Sequence, residues 1–243
     1  MTAPIATLER VESHLPDRRV AIETLAGPLG LSRAKMSLFR KVHGLHTLHH
    51  DPGASLFDLL LPAARQVVES LEQPHRIRFL IYVHAIHEVA PAGFDAAAVL
   101  RDALGPGHAE AFALSQQNCA GGLGAVEVAT RLLADGAPAD RALMRGAVRE
   151  AGLALDDIDL VVPCNVNMLA WRNTIAELGV TADRVFLENI PRYSHCFAAD
   201  PFVDCTTLRT AGRLVDGRRD LMAGVGAGAT VTALALTHRG GAR

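Results

Sequence analysis

Short apolar runs alternate with segments of helical periodicity along the 243-residue chain, and this alternation restricts the possible folds most strongly. The predicted strands are short and apolar, and the last two form a hairpin around a glycine-rich turn: 77–83, 111–116, 158–162, 184–187, 221–225 and 230–237. The predicted helices carry apolar residues three and four positions apart: 55–71, 121–133, 142–152 and 165–178. Because strands that alternate with helices are typical of mixed layered proteins, the sequence predicts an α/β fold.

The composition argues against several classes of protein. Hydrophobic residues make up 49% of the chain and charged residues 21%, as in globular proteins. A formal net charge of −2 gives no sign of a nucleic-acid partner. No apolar run reaches the length of about 18 residues that a membrane helix needs, and the first ten residues do not resemble a signal peptide. We therefore expect a cytoplasmic protein with no membrane partner, whose cysteines remain thiols.

Cys119 is the first candidate catalytic residue. It lies in the segment Ser-Gln-Gln-Asn-Cys-Ala-Gly-Gly, residues 115–122, between a predicted strand and a predicted helix. The positive end of the helix dipole favours a thiolate, which is the reactive form of cysteine. Gly121 and Gly122 permit a tight turn, and free N–H groups at the helix start could bind an oxyanion. The alternative, which the local pattern alone favours, is a buried and inert cysteine.

His195 and Asp200 form a second candidate pair, in the segment Pro-Arg-Tyr-Ser-His-Cys-Phe-Ala-Ala-Asp-Pro-Phe of residues 191–202. A histidine near a cysteine can act as a base or stabilise the thiolate, and Asp200 could orient its imidazole. The alternative is a structural histidine, with Asp200 as the N-cap of a helix that has Pro201 at its first position. These residues taken alone favour the structural alternative.

Four segments together resemble the ketoacyl-acyl-carrier-protein synthase III family of the thiolase superfamily, especially its acyltransferase branch from actinobacterial secondary metabolism. Residues 115–122 resemble the family's active-site cysteine turn, and Pro-Cys-Asn-Val-Asn at 163–167 resembles its Pro-His-(Gln/Asn)-x-Asn motif. Tyr-Ser-His at 193–195 resembles Tyr-Gly-Asn or Tyr-Gly-His, and Gly-Val-Gly-Ala-Gly at 224–228 resembles the family's glycine-rich turn. Because four motifs in the family's order are more specific than any single one, the resemblance supports Cys119 as the nucleophile.

The resemblance implies a thiolase-like fold of two similar α/β halves in layers, a homodimer, and acyl-CoA or acyl carrier protein as substrates. Gly136 and Pro138 break the chain between these halves, so we predict an N-terminal half with the nucleophile at 1–138 and a C-terminal half at 139–243. The resemblance also implies an oxyanion hole formed by the backbone N–H groups of Cys119 and Gly228. Asn167 matches the asparagine of its motif.

Cys164 occupies the position at which condensing members of the family have a histidine that stabilises the thioester oxygen during decarboxylation. A thiol is a poor hydrogen-bond donor and has no cationic form. We therefore predict acyl transfer to a biosynthetic acceptor through a covalent Cys119 acyl-enzyme, with His195 and Asp200 completing the triad and with no metal or redox cofactor. Two alternatives stay open: a decarboxylative ketoacyl synthase that condenses a starter unit, and a non-catalytic, degenerate partner subunit.

The chain is also short for this family. After the predicted helix 121–133 it passes almost at once to residues 141–146, which resemble a helix of the second half. The strands that close the first half are not found, so the first half is expected to be incomplete. Either the protein carries a deletion or residues are omitted from the sequence, and we favour omission because a deletion would expose sheet edges.

The remaining histidines and cysteines have simpler interpretations. Four histidines beside Asp51 could bind zinc, but loop or surface positions are favoured because no cysteine or second cluster accompanies them: His43, His46, His49 and His50. His84 is expected to be a core residue or a neighbour of the site. Trp171, Cys196 and Cys205 are expected to be packing residues.

Overall fold

The computed structural model describes residues 6–85, 91, 93–115, 117–133, 151–226 and 230–239. The strands are β1 (Arg19–Ala21), β2 (Thr47–His49), β3 (Phe79–Val83), β4 (Glu110–Leu114), β5 (Leu160–Val162), β6 (Arg219–Gly226) and β7 (Thr230–Thr237). The helices are α1 (Arg33–Lys41), α2 (Leu56–Glu69), α3 (Ala96–Leu104), α4 (Gly121–Leu133), α5 (Met168–Leu178), α6 (Ile190–Tyr193) and α7 (Asp200–Thr210). This mixture of strands and helices confirms the predicted α/β class.

The first half is built on a parallel pair of strands. β3 and β4 pair in register from Phe79 opposite Glu110 to Val83 opposite Leu114, and the crossover between them contains α3. Tyr82, Ala97 and Leu100 are buried between this pair and α3. Among the described residues, β3 and β4 form a two-stranded sheet, and β1 and β2 form a separate antiparallel pair. The incomplete first half stays a prediction.

The second half is built on the three-stranded sheet β5-β6-β7, in which β5 is parallel and β7 antiparallel to β6. Side chains alternate between the two faces of a strand, and here both faces are buried. One face, with Val161 and Leu221, packs against Trp171 of α5 and Ile190 of α6. The other face packs against α4 and α7 through an apolar cluster: Leu160, Val162, Met222, Leu123, Cys205 and Leu208. Helices on both sides of this sheet give the layered arrangement that the resemblance implied.

Local capping signals set several helix ends. The Ser55 hydroxyl accepts a hydrogen bond from Asp58 N, and the Asp58 carboxylate accepts one from Ser55 N, so a capping box begins α2. α5 begins at Met168 rather than at the predicted residue 165, because Asn167 is its N-cap. Gly179 ends α5 in the left-handed conformation, as predicted.

One predicted strand is wrong, and other predictions lie outside the described residues. Instead of a strand at 184–187, the structure has a 3-10 turn over Ala182–Arg184 and a single parallel bridge between Val185 and Val161. The chain enters α6 at Ile190, which leaves too few extended residues for a ladder. The predicted boundary near Gly136 and most of the predicted helix 142–152 lie outside the described residues. Within the described part of the chain, no helix is long and apolar enough to span a membrane.

Candidate active site

Cys119 lies in a tight turn between β4 and α4. A 3-10 turn covers Asn118–Ala120, and Asn118 has a φ of +48°. Two glycines at the start of α4 let this turn approach its neighbours closely. A Cβ atom on Gly121 would lie 2.9 Å from Val83 Cγ1, and one on Gly122 would lie 2.4 Å from the Ala198 carbonyl oxygen. The small residues after the cysteine therefore press the turn against both β3 and the loop that carries the histidine.

His195 follows α6 in a loop that β2 holds in place. Ser194, which precedes it, has φ +59° and ψ −149°, a region that residues other than glycine rarely occupy. The Ser194 hydroxyl donates a hydrogen bond of 2.9 Å to the Thr47 carbonyl. The Thr47 hydroxyl in turn donates one of 2.7 Å to the Arg192 carbonyl. These two bonds hold the backbone immediately before His195 against β2.

Cys119, His195 and Asp200 are brought into one continuous chain of contacts. Cys119 Sγ lies 3.0 Å from His195 Nε2, and His195 Nδ1 lies 2.5 Å from Asp200 Oδ2. With the proton on Nδ1, the imidazole donates to the carboxylate and its Nε2 can accept the thiol proton. This is the nucleophile–base–orienter geometry of a catalytic triad, formed by residues 76 and 5 positions apart in sequence.

Asp200 is fully buried and accepts three hydrogen bonds. Its Oδ2 accepts the Asn165 backbone N–H at 2.7 Å in addition to His195 Nδ1, and its Oδ1 accepts the Cys196 backbone N–H at 2.6 Å. The alternative in which Asp200 is an N-cap is wrong, because Asp200 is the first residue of α7 and Ala199 occupies the cap position. The carboxylate accepts hydrogen bonds from residues that precede α7 rather than from the N–H groups of its own helix.

Burial, together with the nearby Asp200 carboxylate, raises the pKa of the Cys119 thiol. The hydrogen bond from its own backbone N–H acts in the opposite direction but is the weaker effect. The sequence-based expectation of a thiolate favoured by the helix start is therefore outweighed by desolvation. It follows that the thiol stays protonated unless His195 takes its proton.

The roles predicted for Cys164, Asn167 and Gly228 stay predictions. Cys164 is fully buried, and its carbonyl accepts a 2.7 Å hydrogen bond from Trp171 Nε1, so Trp171 is the packing residue that was expected. Asn167 uses its side-chain oxygen to cap α5 through Ala170 N at 2.8 Å. Among the described residues it forms no hydrogen bond with Cys119 or His195. Gly228, the second predicted oxyanion donor, lies outside the described residues.

Three other histidines, His43, His49 and His84, take part in packing and backbone contacts. The His43 carbonyl accepts Met168 N at 3.1 Å, which attaches the loop after α1 to the start of α5. His49 Nδ1 lies 2.5 Å from the Pro16 carbonyl, and its ring packs against Tyr193. His84 stacks on Tyr82, with ring centroids 5.2 Å apart. No group of three or more metal-binding side chains occurs in the described part of the chain.

Two residues near the triad were missed by the sequence analysis. Asn165 binds Asp200 through its backbone, and Asp204, one helical turn after Asp200, binds the Asn165 side chain. The spacing of four between the two aspartates was a signal that both could face the same side of one helix. Of the other two cysteines, Cys205 is buried as predicted and Cys196 is half-buried, and burial raises the pKa of each thiol to about 12.

Sequence comparison covers the C-terminal part of the chain. Residues 148–238 match the family model for the C-terminal region of 3-oxoacyl-[acyl-carrier-protein] synthase III. A segment of 89 residues is 36% identical to the β-ketoacyl-[acyl-carrier-protein] synthase III of Symbiobacterium thermophilum. That alignment spans 37% of this chain and 27% of the relative's length.

Structural comparison covers nearly the whole chain. The acyltransferase ChlB3 superposes with a TM-score of 0.78 at 20% identity, over 93% of this chain and 95% of ChlB3. The priming β-ketosynthase of the R1128 polyketide pathway superposes with a TM-score of 0.77 at 16% identity, over 94% of this chain and 95% of that protein. At these identities the likeness establishes the fold. The chain therefore has the fold of these ketoacyl synthase III-like structures, and its residues 148–238 are similar in sequence to the C-terminal region of 3-oxoacyl-[acyl-carrier-protein] synthase III.

Proposed function

We propose that the chain transfers an acyl group from an acyl-CoA or acyl-carrier-protein thioester to a biosynthetic acceptor, through a covalent intermediate on Cys119. The observation that carries this proposal is the contact series in which Cys119 Sγ lies 3.0 Å from His195 Nε2 and His195 Nδ1 lies 2.5 Å from Asp200 Oδ2. A structural cysteine needs neither contact, whereas a thiol nucleophile with a raised pKa needs a base within reach.

In the first half-reaction, His195 Nε2 removes the Cys119 proton, and the sulfur attacks the carbonyl carbon of the thioester. The bond between that carbon and the donor sulfur then breaks, and the leaving thiolate takes the proton from the imidazolium. Asp200 stabilises the imidazolium while it exists, through its bond to Nδ1. The backbone N–H of Cys119 and that of Gly228 are the proposed donors to the transient oxyanion.

In the second half-reaction, His195 removes a proton from the acceptor's hydroxyl, amine or thiol group. The acceptor attacks the acyl carbon, the bond to Cys119 breaks, and the sulfur regains its proton from His195. The half-exposed Phe197 ring lies 4.9 Å from the His195 ring and provides an apolar surface beside the proposed base. The same histidine therefore serves both half-reactions.

A cationic cavity in the N-terminal region supports a donor that carries phosphate groups. The cavity has a volume of about 490 Å³ and is lined by residues of α1 and the following loop: Arg33, Met36, Ser37, Arg40, Lys41 and His46. The His43 carbonyl connects this loop to Met168 N, at the start of α5. Arg40 is already paired with Glu23, so Arg33 and Lys41 are the cations proposed to bind the phosphates of CoA or of a carrier-bound pantetheine. The homodimer implied by the resemblance is part of the same proposal.

Decarboxylative condensation is the second candidate, and the sequence similarity of residues 148–238 to a β-ketoacyl synthase favours it. That reaction needs a donor that stabilises the enolate oxygen formed as carbon dioxide leaves. Cys164 holds the matching position, and a thiol is a weak donor. Release of labelled carbon dioxide from a malonyl thioester, dependent on Cys119, would support condensation over transfer.

The experiment is intact-protein mass spectrometry after incubation with a panel of acyl-CoA and acyl-carrier thioesters. We expect a mass increase equal to one acyl group, absent in Cys119→Ala and retained in Cys205→Ala, a matched control in the core around α7. A folded protein that gains no mass from any donor would contradict the proposal and favour a non-catalytic subunit. A gain that survives Cys119→Ala would assign the chemistry to another residue.

A further inference from the structure

A second buried carboxyl lies next to the triad and has no role in the mechanism described above. Asp204 is one helical turn after Asp200 on α7, and its exposed fraction is 0%. Two fully buried amide side chains, Asn165 and Asn189, accompany it. Burial of three polar side chains is unfavourable unless they are hydrogen-bonded to one another, so their partners are informative.

Asp204 Oδ1 is the point at which the two amides meet. It accepts Asn189 Nδ2 at 2.8 Å and Asn165 Nδ2 at 3.1 Å. Asn189 Nδ2 also donates to the Thr207 hydroxyl at 2.9 Å. These bonds join three parts of the chain, because Asn165 follows β5, Asn189 immediately precedes α6, and Asp204 lies within α7.

This cluster is connected to the triad through one residue. The backbone N–H of Asn165 donates at 2.7 Å to Asp200 Oδ2, the same oxygen that binds His195 Nδ1. We propose that Asp204 is a positioning residue of the triad: by holding the Asn165 side chain, it fixes the backbone N–H that orients the Asp200 carboxylate beneath His195. The proposal rests on the proposed function of Cys119 as a nucleophile.

The unpartnered acceptors around Asp204 favour its neutral form, a carboxylic acid. Among the described residues, three buried oxygens of the cluster have no hydrogen-bond partner, namely Asn165 Oδ1, Asn189 Oδ1 and Asp204 Oδ2. All three are acceptors while Asp204 is ionised, so the cluster lacks a donor. A proton on Asp204 would supply one.

The titratable groups around Asp204 also favour its neutral form. The titratable groups that face it are Asp200 and the thiols of Cys196 and Cys205, and no ion pair in the described part of the chain includes it. Burial raises the pKa of Asp204 well above its ordinary value of 3.8, and the Asp200 carboxylate adds to this effect, while the two amide bonds oppose it. A neutral Asp204 places no second negative charge beside the contact between Asp200 and His195.

The test measures the rate at which iodoacetamide alkylates Cys119. Peptide mass spectrometry monitors this reaction at pH values from about 5.5 to 9. Asp204→Asn keeps an acceptor for both amides and remains neutral, so we expect the wild-type pH profile and a rate within about twofold of the wild type. Asp204→Ala removes that acceptor, so we expect alkylation at neutral pH to slow by about tenfold and the profile to change.

Two controls separate positioning from simple destabilisation. Asp220→Asn alters another fully buried aspartate, paired with Arg218 and His238, and should lower the melting temperature without changing the alkylation profile. If Asp204→Ala does not fold, Asn165→Ala serves instead, because it removes the side chain that Asp204 holds and keeps the backbone N–H. We expect it to slow alkylation as well.

Each outcome either supports or overturns the inference. A folded Asp204→Ala or Asn165→Ala protein with the wild-type rate and profile would overturn the positioning role. An Asp204→Asn protein as impaired as Asp204→Ala would overturn the neutral form. Iodoacetamide reports on Cys119 reactivity without a thioester, so these results do not depend on the acylation experiment. A failure of the acylation experiment would instead contradict the proposed function.

Discussion

Asp200→Asn is the substitution whose effect can be derived most fully from the structure. The carboxylate accepts three hydrogen bonds, from His195 Nδ1 at 2.5 Å, Cys196 N at 2.6 Å and Asn165 N at 2.7 Å. An amide has one accepting oxygen and one donating nitrogen. If its oxygen keeps the bonds to His195 and Asn165, its nitrogen faces the Cys196 N–H, donor against donor. The substitution therefore loses at least one bond and the charge beneath the imidazole.

Loss of the Asp200 charge has two opposing effects on the reactivity of Cys119. The Asp200 carboxylate raises the pKa of the Cys119 thiol, so its removal alone would favour the thiolate. It also stabilises the protonated His195 ring through direct contact with Nδ1. The second effect should dominate, because Asp200 touches the ring whereas the ring separates it from the sulfur. Loss of a hydrogen bond to a charged group amounts to about 1.5–3 kcal/mol, or a rate decrease of about ten- to hundredfold.

The assay is alkylation of Cys119 by iodoacetamide at neutral pH, with melting temperature as the measure of folding. We expect Asp200→Asn to react about ten- to hundredfold more slowly than the wild type while it remains folded. An equal or faster rate in a folded variant would refute the reasoning, because it would mean that the direct effect on the thiol outweighs support of the imidazole.

Three further predictions concern the turn, the loop and the buried acid. Gly122→Ala places a Cβ 2.4 Å from a backbone oxygen of the His195 loop, so we expect a loss of about 1–3 kcal/mol in urea unfolding together with slower alkylation. At position 194, where φ is +59°, Ser194→Gly should be more stable than Ser194→Ala by about 1 kcal/mol, since both lose the hydroxyl and glycine alone avoids the strain. The folded-state pKa of Asp204 exceeds its unfolded value, so the wild type loses stability as pH rises above about 4, and the advantage of Asp204→Asn in urea unfolding should grow with pH. Equal stability of the wild type and Asp204→Asn at all pH values would contradict the inference that Asp204 is a buried neutral acid.

Local sequence signals predicted a helix end correctly where the residues at that end themselves mark the boundary. The helix predicted from residue 121 begins where α4 begins, because apolar residues follow helical spacing from the glycines at its start. Ser55 and Gly179 mark helix ends through capping that depends on neighbouring residues alone. The predicted strand at 184–187 failed because pairing depends on a partner strand and on where the chain next turns.

The sequence singled out three residues that lie together in the structure, but it did not predict the electrostatics around them. The motifs pointed to Cys119, His195 and Asp200, and the structure brings these residues together. The direction of the Cys119 pKa shift was not predictable, because it depends on how much solvent the folded chain removes. Asp204 and Asn165, 39 residues apart, belong to one network only after β5 and α7 have packed. No local pattern reveals such a contact.

Pre-steady-state release of the donor thiol would show whether the acyl group passes through Cys119. When protein is mixed with an accepted acyl-CoA in the absence of acceptor, we expect a burst of about one equivalent of free thiol per chain. Peptide mapping should then find the acyl group on the Cys119 peptide, and Cys119→Ala should show no burst. Transfer to an acceptor without a burst, or with the acyl group on another cysteine, would contradict the account.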